Sequence, residues 1–225
     1  MTGTLFVVAT PIGNLEDISP RALRTLQEVD VILCEDTRKT SKLLSRYSIE
    51  TSLLSYHQHS REEKMKRVLT LLQEEKNVAL VTDSGTPGIS DPGNELISFL
   101  LFQDTFLRVI PIPGASAVTA LASVSGFPMN AFLFLGFAPH KKGRKTFFKK
   151  AMESEHSVIL YESPHRIIKT LQEMREIDGE RQMVVGRELT KQFETIYRGS
   201  IDQVFEQVQK GIIKGEFVLA VQGVS

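Results

Sequence analysis

The chain has 225 residues, 41% of them hydrophobic and 24% charged, and its 27 basic residues balance 27 acidic ones. A chain of this size buries a core without staples, and its single cysteine, Cys34, excludes an internal disulfide and fits a reducing compartment. No apolar run approaches the roughly 18 residues of a membrane span and no leader pattern opens the chain, so a soluble cytoplasmic protein is expected, with any RNA contact confined to charge patches.

Strands and helices alternate through the first half. Thr4–Ala9 is a buried-strand run, and Ser19-Pro20 is a helix N-cap followed by proline at the first helical position. Ala22, Leu23, Leu26 and Val29 mark that helix's buried side. Val29–Cys34 reads as a second strand, with a helix from about Thr37. Ser60 and Glu63 form a capping box ahead of Met65, Val68, Leu69 and Leu72 at helical spacing. Asn77–Val81 is a strand, Asp91-Pro92 opens the next helix, and Leu107–Ile110 is a short strand. This rhythm predicts a mostly parallel, helix-covered sheet.

Pro111–Gly114 (PIPG) is a stiff, turn-rich joint, dividing a domain 1-112 from a domain 113-225. A helix rich in small residues follows from about Ala115. Further strands are expected at Ala131–Leu135, Ser157–Tyr161, Met183–Arg187, Phe193–Arg198 and Glu216–Gln222. Ser163-Pro164 caps one helix, and Ser200 with Gln203 caps another. Few connections are long enough for every pair to be parallel, so this sheet is expected to be mixed. Lys141–Lys150 (KKGRKTFFKK) is the one strongly basic cluster.

The most informative stretch for chemistry is Asp83–Gly93 (DSGTPGISDPG), between an apolar strand and a helix. Open α/β sheets bind ligands at such strand ends. Glycines let backbone approach a ligand, and Asp83 is placed to accept hydrogen bonds from a ligand amine or hydroxyl. The plainer alternative is a long tight turn with Asp91 as a helix cap. GxxxxGK[ST] is absent, and so is GxGxxG after the first strand, which favours a nucleoside ligand without a polyphosphate. Thr10–Asn14 (TPIGN) and Cys34–Thr40 (CEDTRKT) belong to the same sheet edge. In the latter, Glu35 and Asp36 are candidate proton acceptors, and Arg38 and Lys39 candidate phosphate contacts. Asp36 or Thr37 can equally cap the following helix. The two histidines of Ser55–Ser60 (SYHQHS) make His57 a candidate base, and no acidic or cysteine partner stands at metal-ligand spacing. Pro113–Ala117 (PGASA) opens a helix with small residues that suit a ligand or close packing. Tyr161–Arg166 (YESPHR), Gly186–Lys191 (GRELTK) and Lys214–Val218 (KGEFV) put charge at strand ends. There Glu162, Arg166, Arg187 and Glu188 form either an ion-pair network or a substrate site. Cys34, within an apolar strand, is expected in the core.

Taken in order, TPIGNLEDISPRAL, CEDTRKT, DSGTPGISDPG, PGASA, YESPHR, GRELTK and KGEFVLAVQG resemble the ribosomal RNA small-subunit methyltransferase I family of the tetrapyrrole methylase superfamily, over residues 3 to 223. The resemblance implies two α/β domains with S-adenosylmethionine in the cleft between them. It implies 2′-O-methylation of a cytidine in small-subunit (16S) rRNA near the decoding site, by a homodimer that needs no metal. It further implies that Pro11, Ile12, Asp83, Gly85, Thr86, Ile89, Ser116, Ala117, Tyr161 and Phe217 contact the cofactor. Members often carry a further C-terminal helical segment, which this sequence, ending at Ser225, does not contain. Arg38, Lys39, Lys141, Lys142, Arg144 and Lys145 are expected to grip RNA phosphates. Three rivals stand beside this reading: a relative acting on a tetrapyrrole carbon, one acting on a modified protein side chain, and a non-catalytic S-adenosylmethionine-binding module.

Overall fold

A computed structural model describes residues 2–56 and 62–224. They fall into two compact units, Met1–Ser116 and Ala117–Ser225. No helix among the described residues is long and apolar enough to cross a membrane.

The first unit is built on β1 (Thr4–Val8), β2 (Val31–Cys34), β3 (Ser52–Ser55), β4 (Val78–Leu80) and β5 (Arg108–Ile112), all parallel, in the order β3-β2-β4-β1-β5. Its helices are α1 (Pro20–Glu28), α2 (Thr37–Arg46), α3 (Glu62–Gln73) and α4 (Asn94–Gln103). The inner strands are continuous apolar runs because helices cover both faces. Ile32, Cys34, Ala79 and Val81 meet α1 and α2 through Ala22, Leu26 and Leu44. Leu5, Leu33, Val78 and Leu80 meet α3 and α4 through Val68, Leu72, Leu96 and Leu100. Ser19 caps α1 as its sequence predicts, its side chain accepting from Ala22 N, with Pro20 next in line. Every strand ends at the same edge, and β2 and β4, which are neighbours, send the chain opposite ways, to β3 and to β5. That divergence makes a switch point of the kind where open α/β sheets hold ligands.

The second unit carries β6 (Phe132–Phe137), β7 (Ser157–Glu162), β8 (Gln182–Arg187), β9 (Thr195–Ser200) and β10 (Phe217–Val221), in the order β6-β7-β10-β8-β9. Only β6 and β7 run parallel; the other pairs are antiparallel, so the sheet is mixed. Helices α6 (Arg144–Met152), α7 (Ile167–Asp178) and α8 (Ile201–Lys210) share a core with one face through Phe148, Leu171, Met174 and Val204. Helix α5 (Ala117–Ser125) packs on β7, β8 and β10. The capping box of α8 forms as expected between Ser200 and Gln203.

Several boundaries differ from the sequence reading, each for a local reason. Helix α4 starts at Asn94, not at Asp91-Pro92, because Gly93 sits at φ 144° and cannot be helical. Helix α7 starts at Ile167, not at Ser163-Pro164: the Ser163 carbonyl accepts from Arg166 N and Ile167 N, closing a separate turn first. Strand β5 runs on through Pro111, whose missing N–H is tolerated because β5 is an edge strand. Strand β3 and helix α6 were not expected. The Ser60 half of the proposed cap for α3 lies outside the described residues.

Candidate functional site

The carboxyl edge of the parallel sheet is organised by a reciprocal pair of backbone hydrogen bonds. Thr10 N donates to Gly85 O at 2.9 Å and Gly85 N donates to Thr10 O at 3.1 Å, folding the loop after β4 back over the end of β1. Gly85 stands at φ +84°, and a Cβ built there would lie 3.3 Å from Ile12 Cγ2. A side chain is therefore disfavoured both by conformation and by space. Thr86 Oγ1 donates to Ala115 O at 3.2 Å, tying the loop to the segment after β5. Thr10 Oγ1 donates to Thr82 O at 3.2 Å, while Thr82 Oγ1 is buried with no hydrogen-bond partner among the described residues. Ile12 is buried, Pro11, Thr86 and Ser116 are half-buried, and Ile89 exposes 41% of its surface.

Asp83 binds the switch point together. Its Oδ1 accepts from Asp36 N at 3.1 Å and its Oδ2 accepts from Lys39 Nζ at 2.7 Å. This bond to Asp83 raises the Lys39 ammonium above the ordinary lysine range. Each carboxylate oxygen thus holds one protein donor already and keeps one lone-pair direction for another. Asp36 caps α2: its Oδ1 accepts from Arg38 N and Nε at 2.9 and 3.0 Å, and Oδ2 pairs with Arg38 Nη2 at 2.7 Å. The Arg38 side chain holds the Asp36 carboxyl well below the usual carboxylate range. A carboxylate held so firmly ionised is a poor proton acceptor. Glu35 is half-buried at the same strand end, and no hydrogen bond to its carboxylate forms among the described residues. His57 lies outside the described residues. Arg38 and Lys39 are exposed, yet both already pair with carboxylates of this site. Cys34 is buried in the sheet, and burial pushes its thiol up. Among the described residues no group of His, Cys, Asp and Glu side chains forms a metal cage.

In the second unit Tyr161 is half-buried near the end of β7, its ring in edge contact with Phe134 at 5.0 Å and tilted against Phe137 at 5.4 Å. Ala117 opens α5. Two corrections arise here. Phe217 is 2% exposed and packs in the unit's apolar core, so its ring cannot line a ligand site and only its backbone is left for that role. Arg144 is 4% exposed and bonds to Glu173, Thr170 and Pro139 O, which removes it from the set of residues able to grip phosphate. Its neighbours Lys141, Lys142 and Lys145 are exposed.

The charged strand ends of this unit form two networks rather than one. Glu162 pairs with Arg166 and faces Arg144. Separately, Lys191 bridges Glu188 and Glu216 at 2.8 and 2.9 Å, and Arg187 donates to the carbonyls of Lys214 and Phe193. Glu188 and Thr190 adopt φ of 53° and 66°, the left-handed region that a β-branched residue such as threonine rarely enters. Sequence reasoning missed Thr10, Thr82 and Thr190. Thr10 lay in a noticed motif, and its hydroxyl beside a glycine-rich loop was the available signal.

A family model described as Tetrapyrrole (Corrin/Porphyrin) Methylases matches residues 4–204. The ribosomal RNA small subunit methyltransferase I of Halalkalibacterium halodurans is 46% identical over 98% of this chain and 76% of its own length. The protein of the same name from Thermotoga maritima is 41% identical over 98% of this chain and 99% of its own. Among solved structures, a uroporphyrin-III C-methyl transferase from Thermus thermophilus complexed with S-adenyl homocysteine has the same fold, with a TM-score of 0.64 at 17% identity, covering 97% of each chain.

Proposed function

The chain belongs to the ribosomal RNA small subunit methyltransferase I family within the tetrapyrrole methylases, and from that premise we propose that it methylates the 2′-hydroxyl of a cytidine in small-subunit rRNA. It is an S-adenosylmethionine-dependent rRNA methyltransferase; the ribose position and the base are the proposed part. S-adenosylmethionine supplies a methyl group on a positively charged sulfur, ready for in-line displacement.

The observation that carries the reading is the loop cluster around Gly85. Its residues fit a nucleoside-bearing cofactor: a backbone brought close by a positive φ, the Thr86 and Thr10 hydroxyls, the orphaned Thr82 Oγ1 and the remaining lone pairs of Asp83. No cationic phosphate cradle is needed for such a ligand. We take Pro11, Ile12, Asp83, Gly85, Thr86, Ile89, Ser116, Ala117 and Tyr161 as cofactor contacts, with Phe217 contributing main chain only. The protein's tasks are to hold the acceptor oxygen in line, to exclude water and to receive its proton. Glu35 is the proposed acceptor of the ribose proton, since Asp36 is committed to Arg38 and to capping α2. His57 is kept as its rival. Lys141, Lys142 and Lys145 are assigned to RNA phosphates, along with Arg38 and Lys39. We place the reaction in the cytoplasm and on a homodimer; the edge strand β6, with Leu133 and Phe137 exposed, supports self-association.

The test offers S-adenosylmethionine and protein two acceptors, small ribosomal subunits lacking their native methylations and a precorrin-like tetrapyrrole, beside a blank with no acceptor. Methyl transfer to the subunits alone is expected. Transfer to the tetrapyrrole, or cofactor binding without transfer to any acceptor, would overturn the reading.

A further inference from the structure

At the end of β7, a buried cluster of opposite charges does something that the core of this unit does not require. Glu162 is 1% exposed. Its Oε1 accepts from Ser163 N at 2.8 Å and pairs with Arg166 Nη2 at 2.7 Å. Its Oε2 accepts from Thr170 Oγ1 at 2.6 Å and faces Arg144 Nη1 at 3.7 Å. Arg144 is balanced in turn by Glu173, through Nε at 2.5 Å. Two carboxylates therefore neutralise two guanidiniums.

Besides hydroxyl partners, Ser163 Oγ for Arg166 and Thr170 Oγ1 for Arg144, each guanidinium reaches one backbone carbonyl, and the two carbonyls are consecutive. Arg166 Nη1 donates to Ala138 O at 2.9 Å, and Arg144 Nη1 donates to Pro139 O at 3.0 Å. These carbonyls belong to the two residues that leave β6 and enter the turn leading to α6. Beyond them the chain surfaces: His140, Lys141, Lys142 and Gly143 are all exposed before Arg144 turns inward again at the start of α6. Gly143 at φ +81° makes that return possible. Buried ion pairs are a poor means of stabilising a fold, because desolvation offsets most of their attraction and apolar residues of the same volume often do as well. What these charges do, and apolar side chains cannot, is fix two successive peptide planes at the root of an exposed turn.

We infer that the Arg144–Glu162–Arg166 cluster is a positioning device for RNA binding, clamping Ala138 and Pro139 so that Lys141 and Lys142 are presented to the phosphate backbone of the substrate. The inference rests on the reading of the chain as an rRNA methyltransferase with phosphate contacts in this turn. None of the three clamp residues touches RNA; all act through the turn.

The test compares the wild-type protein with Lys141→Ala/Lys142→Ala, with Arg166→Met, and with all three changes together, using small ribosomal subunits as the RNA probe. The lysine pair is expected to raise KM about tenfold and to flatten the salt dependence by roughly 0.7 to 0.9 per lost phosphate contact, leaving kcat and cofactor affinity unchanged. Arg166→Met is expected to produce the same shift in KM and salt slope although Arg166 contacts no phosphate. The triple variant is expected to be no worse than the lysine pair, because the effects share one route. A salt slope unchanged in Arg166→Met, or effects that multiply, would overturn the clamp while leaving the RNA reading of the lysines intact. Unchanged affinity in the lysine pair would overturn both. Arg166→Lys guards against loss of folding: it keeps a cation for Glu162 but loses the fork that also reaches Ala138, so it must reproduce the flattened slope with a melting temperature near that of wild type.

Discussion

Glu35 and Asp36 are adjacent carboxylates at the end of β2, and their surroundings differ. Asp36 accepts from Arg38 N and pairs with the Arg38 side chain, which leaves it ionised and fixed. Glu35 makes no such bond among the described residues. Glu35→Gln is accordingly expected to lower kcat about a hundredfold, the usual scale for losing a general base, with cofactor affinity unchanged. Asp36→Asn, which keeps an oxygen able to cap the helix, is expected to retain most of the rate. Near-normal turnover in Glu35→Gln would move the role to His57. Both carboxylates were legible as strand-end residues from the sequence. Their wiring was not, since the Asp36 N to Asp83 bond spans 47 positions of the chain. Arg144 shows a signal that was present but unread: Phe148 and Ala151, four and seven residues on, lie on the same helical face and are buried with it.

Gly85 and Ser200 separate local structure that serves the site from local structure that serves the fold. Gly85→Ala imposes a left-handed conformation on an L residue and crowds Ile12, at a cost of roughly 1 to 2 kcal/mol. Its expected signature is a loss of S-adenosylmethionine affinity larger than the loss of stability explains. Ser200→Ala removes one half of the α8 capping box and is expected to cost about 1 kcal/mol with cofactor affinity untouched. Calorimetric binding and thermal melting of both variants check the contrast; equal affinity losses would mean that the loop at Gly85 has no special part in cofactor binding. The caps of α1 and α8 could be read from sequence because Ser-Pro and Ser-x-x-Gln act within one turn. The starts of α4 and α7 could not: Gly93 and the Ser163 turn insert non-helical residues after a plausible cap. Strand β3 escaped notice because Ser-Leu-Leu-Ser has too little alternation to mark a four-residue edge strand.

For the whole chain, the two sheets follow from how the strands are linked. Helical connections allow the first sheet to be parallel throughout, whereas in the second the short helix-free link from β8 to β9 reverses the chain, and β9 and β10 then run against β7 and β8. Periodicity thus disclosed the fold class, and the long motifs disclosed the family. The acceptor is a different matter. A fold shared with a uroporphyrin-III C-methyl transferase does not choose between a ring carbon and a ribose oxygen, so that choice rests on side chains at the sheet edge and on exposed cations. The chemical position of the transferred methyl therefore tests the account most directly. Small ribosomal subunits lacking native methylations would be labelled from S-adenosylmethionine with this protein, and the extracted rRNA hydrolysed in alkali. A methyl on the 2′-oxygen blocks cleavage of the next phosphodiester, so the account predicts label in one alkali-stable dinucleotide with cytidine at its 5′ side. Label released in ordinary mononucleotides would put the methyl on a base and contradict it.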